Sequence, residues 1–313
     1  MFHGDSVMSD SRKSSHNPWV TYRVPEHMTG VTVEEVLRGP LMVSRRLLNR
    51  LTRIKGIRLN GKPAWLAQKV KTGDRVQAAL RPPETSPLSP EPVPLRVVYE
   101  DTDLMVIDKP AGVAVHPVRD TDRGTLVHGI LHLWSSKGIR GTVRPVHRLD
   151  RFTSGLILIA KSGYMHQLLD RQLRNGHIHR AYLAVCDGKP EPAEGVIDAP
   201  IGRDPRHPTR RRITAGGDPA TTRYRLVRQG ERASLVEARP ITGRTHQIRV
   251  HFAHLGAPLA GDRLYGGDTS AIRRQALHAF ELAFTHPLTG EDLRFEAPLP
   301  EDMQHALVAL GLA

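Results

Sequence analysis

The chain has 313 residues, 39% of them hydrophobic, with 45 Lys and Arg against 32 Asp and Glu, a formal net charge of +13 at pH 7. That excess favours a polyanionic partner through a long-range field and counterion release, nucleic acid ahead of an anionic membrane surface. No apolar stretch approaches a membrane span, residues 1–18 lack a signal-type hydrophobic segment, and the single cysteine, Cys186, excludes an internal disulfide and a cysteine-based zinc site.

The expected setting is the cytoplasm and the expected state a monomer. Residues 1–17 (MFHGDSVMSDSRKSSHN) are polar and without periodicity, the composition of a disordered tail. Residues 18–81 form a compact basic segment whose clearest element is a helix from Ser44, as N-cap, to about Arg53. Val43, Leu47, Leu51 and Ile54 fall on one face of it, and Arg46, Arg50 and Arg53 on another. One face should pack and the other stay strongly positive. After it, residues 56–62 form a strand entering an Asn60-Gly61 turn, and Gly73-Asp74-Arg75-Val76 begins another strand. Residues 82–95 are dense in proline and should be an extended spacer, where we place a domain boundary. Between Arg96 and Asp108, two apolar runs flank Glu100-Asp101-Thr102-Asp103, the pattern of a hairpin. It leads into the loop Lys109-Pro110-Ala111-Gly112-Val113-Ala114-Val115-His116-Pro117.

Next, Val146-His147-Arg148-Leu149-Asp150-Arg151-Phe152-Thr153-Ser154-Gly155 sets Arg148 and Asp150 on a polar turn before an apolar run short enough to be a buried strand. An Asp in such a turn is most often a cap, and an Arg a solvated charge. Ser162 caps a helix through Arg174, closed at Asn175-Gly176, with Met165, Leu168, Leu169 and Leu173 as its buried stripe. Residues 180–185 continue as a strand with Tyr182 near its start, and Cys186, in the same apolar run, should be a buried structural thiol. Residues 201–217 are expected to be a loop rich in Gly and Arg, among them Arg203, Arg206, Arg210, Arg211 and Arg212. Such a run is either solvated or in contact with an RNA backbone. Residues 220–226 and 233–238 alternate like half-buried strands. Finally, Thr245 is expected to cap a helix that carries Ile248, Phe252 and Leu255 on one face and ends at Gly256. Arg249 then lies among core residues and needs a carboxylate. The histidines lack the spacing of a helical zinc site, so no catalytic metal is expected.

HRLDxxTSG, formed by residues 147–155, resembles the signature of the RluA-type pseudouridine synthases, and three further blocks resemble that family in the same order. They are KPAGVAVHP at 109–117, RAYLAV at 180–185 and GRTHQIR at 243–249. The fold this resemblance implies is α+β. A small α/β RNA-binding module comes first, then a catalytic domain, residues 96–313, with a mixed, mainly antiparallel sheet flanked by helices around a central cleft. The order of helix, turn, RLNGK and KTGDRV likewise resembles the RNA-binding module named after ribosomal protein S-four. Its phosphate contacts would be Arg46, Arg50, Arg53, Lys55 and Lys62, joined by Arg210, Arg211 and Arg212 of the later loop.

By the same resemblance, Asp150 is the catalytic aspartate, Arg249 its partner, Tyr182 the residue against the uracil and the base for the carbon-five proton, and Arg148 the side chain that fills the gap of a flipped-out base. Asp150 could attack the anomeric carbon, attack the base or remove a ribose proton. An opposite charge nearby favours the ionised form of a buried carboxylate, which suits each of the three roles. The implied activity is isomerisation of uridine in RNA, in large-subunit ribosomal RNA ahead of transfer RNA, a redox-neutral reaction for which no cofactor is expected. The rival is a non-catalytic ribosome-assembly protein on the same fold, which would lack the acid at 150 or the arginine at 249.

Overall fold

The computed structural model describes residues 17–119 and 122–313. The tail expected at 1–17 thus lies outside the described residues, save Asn17. The first unit is β1 (Val20–Arg23), α1 (Val33–Arg38), α2 (Arg45–Arg53), β2 (Ile57–Leu59), β3 (Lys62–Pro63) and β4 (Arg75–Ala78), with a four-stranded antiparallel sheet in the order β1-β4-β2-β3. The hydroxyl of Ser44 accepts from the Leu47 N–H at 3.3 Å, so α2 starts where the cap signal puts it. Val43 is buried as expected, but along the helix the stripe turns towards Leu48. Leu48 and Leu51 are buried, Leu47 is partly covered, and Ile54, as the C-cap, is 52% exposed. Arg46, Arg50 and Arg53 are exposed, as the opposite face requires.

A strap without helix or strand spans residues 82–95, and its Leu88 and Leu95 pack on the core beneath. The second unit follows with β5 (Arg96–Glu100), β6 (Leu104–Lys109), α3 (Leu126–Ser136), β7 (Arg144–Pro145), β8 (Ser154–Ala160), α4 (Gly163–Arg174), β9 (His179–Asp187) and β10 (Glu194–Asp198). It continues with β11 (Ile201–Arg203), β12 (Arg211–Ile213), β13 (Thr221–Gln229), β14 (Ala233–Pro240), α5 (Gln247–His254), β15 (Leu277–Thr285), β16 (Asp292–Glu296) and α6 (Glu301–Ala309). The main sheet runs β10-β13-β14-β9-β15-β8-β6-β5, with β16 beside β15 and β7 beside β8. All its pairings are antiparallel except the short contact of β8 with β15. The mixed, mainly antiparallel sheet flanked by helices is therefore as expected. Residues 201–217, expected as a loop, instead carry the hairpin β11–β12, whose strands pair through Ile201↔Ile213, Gly202↔Arg212 and Arg203↔Arg211.

Side chains alternate across the two central strands. Leu156, Leu158, Leu104 and Val106 face one core with α4, while Ile157, Ile159, Met105 and Ile107 face the other with α3. The α4 core also takes in Leu37, Leu41, Leu48 and Leu51, so both units share a single apolar cluster. Polar contacts tie the same seam. The Tyr164 hydroxyl donates to the Leu41 carbonyl at 2.5 Å, and Arg81 makes two 2.6 Å bonds to Asp103.

Candidate active site

Asp150 sits on the turn that enters β8, and that turn is held from three sides. Lys109 is fully buried at the end of β6, and its Nζ donates to the carbonyls of Pro110, Val113 and Arg151 at 2.8, 2.9 and 3.1 Å. Burial pushes its pKa down to about 7, and the neighbouring Arg274 adds to this while Asp150 opposes it. From the other side, Arg274 Nη1 donates to the Phe152 carbonyl at 3.0 Å while its Nε and Nη2 hold Asp302. Gly155 closes the turn at φ +109, and a Cβ there would lie 2.2 Å from the Ala279 carbonyl oxygen of β15. Only glycine permits the parallel contact that sets the turn against β15. One residue earlier, the Ser154 hydroxyl lies 2.9 Å from His278 Nδ1, whose Nε2 lies 3.3 Å from the Ala297 carbonyl.

The partner reaches in from α5. Arg249 Nη1 donates to Asp150 Oδ2 at 3.1 Å, joining groups 99 positions apart in the chain. Arg249 also binds Asp262 as a fork, through Nε at 2.7 Å and Nη2 at 2.8 Å, and its guanidinium lies 5.1 Å from the centre of the Tyr265 ring. Burial disfavours its charge, but the two carboxylates outweigh that and raise its pKa, Asp262 more than Asp150. The sequence reading supplied one carboxylate for Arg249. The structure supplies two, and the second is the tighter. The second comes from the segment Gly261-Asp262-Arg263-Leu264-Tyr265.

Two further groups were missed. His246 Nε2 lies 3.9 Å from Asp150 Oδ2, and its Nδ1 lies 2.9 Å from the Tyr265 hydroxyl. Burial lowers the His246 pKa although Asp150 pulls the other way. This histidine, rather than Thr245, is the N-cap of α5, with a left-handed φ of 59°. Thr245 is instead in contact with Arg148 Nη2 through its hydroxyl.

Asp150, Arg249, His246, Thr245 and Arg148 line a cavity of about 490 Å³ together with His116, Arg180 and Tyr182. Tyr182 is 5% exposed, and burial, reinforced by Asp150, raises the pKa of its phenol. Arg148 is exposed at the rim. The structure thus brings Asp150, Tyr182, Arg249 and Arg148 to one cleft. It does not bring Arg46, Arg50, Arg53, Lys55 and Lys62 there, since these belong to the first unit. Of the later arginines, Arg210 is bound to Asp204 by two of its nitrogens at 2.7 Å and Arg212 stands opposite Gly202, on the other face of the hairpin from Arg211. Among the described residues, no three His, Cys, Asp or Glu side chains are placed to hold a metal ion, and no helix is long and apolar enough to cross a membrane.

Comparison with known proteins gives this cleft a family. Residues 103–254 match the family described as RNA pseudouridylate synthase, and residues 20–76 match the N-terminal domain of the RluD ribosomal pseudouridine synthase. The chain is 42% identical over 284 residues to the uncharacterized RNA pseudouridine synthase YhcT of Bacillus subtilis, covering 90% of this chain and 94% of that one. It is 37% identical over 317 residues to ribosomal large subunit pseudouridine synthase D of Nitrosomonas europaea, covering 98% and 91%. Among solved structures, human RNA pseudouridylate synthase domain containing 1 is similar with a TM-score of 0.55 and 26% identity, over 72% of this chain and 98% of that one. The resemblance drawn from the four motifs is borne out, and the chain belongs to the RNA pseudouridine synthase family, as an enzyme that isomerises uridine in RNA.

Proposed function

We propose that the substrate is large-subunit ribosomal RNA, that Asp150 opens the bond between uracil and ribose, and that residues 18–81 are an RNA-binding module of the S-four type joined through residues 82–95 to a catalytic domain of residues 96–313. The observation that carries the catalytic assignment is the 3.1 Å bond from Arg249 to Asp150 at the floor of the cleft. Oδ2 is held, and the carboxylate keeps 25% of its surface open towards the cavity. A half-buried carboxylate positioned by a charged donor has the orientation that attack on a nucleotide needs. The target RNA is supported by the names of relatives over 90% of whose length this chain extends, and by the N-terminal match at residues 20–76.

A stacked uridine must leave its helix to reach Asp150, and Arg148 at the rim is placed to occupy the gap. Inside the cavity the Tyr182 ring lies against the uracil. Its raised pKa keeps the phenol protonated, so taking the proton from carbon five requires the hydroxyl to release its own to cleft water or to Asp150. Arg46, Arg50, Arg53, Lys55 and Lys62 of the first unit hold backbone phosphates, which position RNA without reading its sequence.

Tritium release from unmodified ribosomal and transfer RNA transcripts labelled at carbon five of uracil tests both halves of the reading. Wild type should release tritium from the ribosomal transcript, and Asp150→Ala should fall by about a thousandfold or more while RNA binding persists. Turnover by the alanine variant would remove Asp150 from its role. Release from transfer RNA alone would transfer the target to that class.

A further inference from the structure

The hairpin β11–β12 contains a pairing that a chain gains nothing from by itself. Arg203 stands directly opposite Arg211, and like charges so placed destabilise a sheet. Among the described residues neither has a carboxylate partner, and Arg211 Nε is buried with no hydrogen-bond partner at all. Both side chains line a second cavity, of about 350 Å³, together with Arg148 and Arg244. Asp218 is the one acid on its wall.

This cavity opens beside the first. Arg148, Gly243, Arg244 and Thr245 line both, so a strand lying in the Asp150 cleft passes directly into it. Its floor is fixed to the catalytic groups. The Arg211 backbone N–H donates to the Tyr265 hydroxyl at 2.9 Å, and the Tyr265 ring lies against Arg249. Four guanidinium groups around one cavity, with one acid among them, are a destabilising arrangement until an anion enters. A phosphodiester fits that need, because it carries one negative charge and two free oxygens that arginine forks bind.

Building on the reading of the chain as a uridine isomerase acting on RNA, we propose that this second cavity is a subsite for one backbone phosphate next to the target uridine. Holding that phosphate sets the reach of the flipped nucleotide, so the cavity fixes where the ribose stops relative to Asp150.

The test is the double variant Arg203→Gln, Arg211→Gln, compared with Arg232→Gln, an equal loss of charge per site at the far end of the β13–β14 pair, where Gln229 faces Ser234. Binding of an unmodified large-subunit ribosomal RNA transcript is measured across a series of KCl concentrations, with tritium release and thermal melting alongside. The double variant should bind about tenfold more weakly and flatten the slope of log K against log salt by about 0.7, the value for one single-strand phosphate. It should raise KM and also lower kcat, because the ribose is no longer fixed relative to Asp150, and its Tm should match or exceed that of wild type, because the like-charge pair is gone. Arg232→Gln should behave as wild type. A salt slope in the double variant equal to that of wild type would overturn the subsite, and so would a fall in its Tm large enough to account for the weaker binding. The slope is read from binding alone. A wild type that binds without releasing tritium would therefore strike at the isomerase reading and leave the slope to judge the cavity.

Discussion

Arg249 and Arg211 lie on either side of Tyr265, one against its ring and the other bonded through its backbone to the hydroxyl. Arg249 is buried, forked onto Asp262 and bonded to Asp150, so its charge is spent inside the protein. Arg211 has a like charge opposite it and an unpartnered Nε. The difference separates charges that build the site from charges that, under the proposed phosphate subsite, wait for a substrate. A basic residue near a catalytic centre can be assigned to either class only once its partners are known.

The strongest way to break this contrast is at Asp262. Asp262→Ala leaves the buried Arg249 with Asp150 alone, and we expect a loss of about 3–5 kcal/mol in chemical denaturation, with turnover falling as Asp150 loses its fixed partner. A variant as stable as wild type would show that Arg249 is not committed to the fold. The Arg203, Arg211 double variant should cost no stability, which is the other side of the comparison.

The second way uses pH. Burial pushes the His147 pKa down to about 3, with Arg180 adding to it, and burial lowers that of His278 to about 4. The unfolded chain takes up these two protons near the ordinary histidine value of 6.5, so between that value and 3 to 4 the unfolded state binds more protons than the folded one. Stability should therefore fall as pH drops from about 6.5 towards 4, with each histidine contributing a slope of up to about 1.4 kcal/mol per unit. His278→Gln should flatten the profile measured by urea denaturation at a series of pH values. An unchanged profile would remove His278 from the set of groups that the fold keeps neutral.

The smallest expected effect is on α2. Its Arg46, Arg50 and Arg53 are exposed and screened by salt, so replacing all three by Gln should leave kcat and Tm unchanged. Affinity for the ribosomal transcript should drop, and the salt slope should flatten by about 0.7 for each phosphate that is no longer neutralised. No change in slope would leave the first unit without its proposed role.

The centre of the site was legible because it is local. HRLDxxTSG and GRTHQIR each occupy one turn and the start of one element, and the family they resemble pairs the residues that stand here as Asp150 and Arg249. The α4 helix was legible too, since Ser162 caps it and its apolar period is clear. What stayed hidden was either long-range or without period. Asp262 lies 13 positions after Arg249, beyond the end of α5, and no spacing rule announces their contact. The α3 helix buries Leu126 to Leu131 in succession and so has no amphipathic stripe to detect. The six-residue α1 was overlooked despite a full capping box between Thr32 and Glu35. Thr245 fitted the cap pattern, yet tertiary contact with Arg148 drew it away and left His246 at the helix start.

The apolar cluster common to both units bears on how the protein can be dissected. Leu37 and Leu41 of the first unit pack in one core with Tyr164, Met165 and Leu168 of the second. Each unit thus covers apolar surface of the other. A cut after residue 81 would therefore strip the cover from α4 and leave its apolar face in water, and the shortened chain would report damaged packing together with weakened RNA binding. Exchanging the exposed arginines of α2 while Leu48 and Leu51 stay in place separates the two.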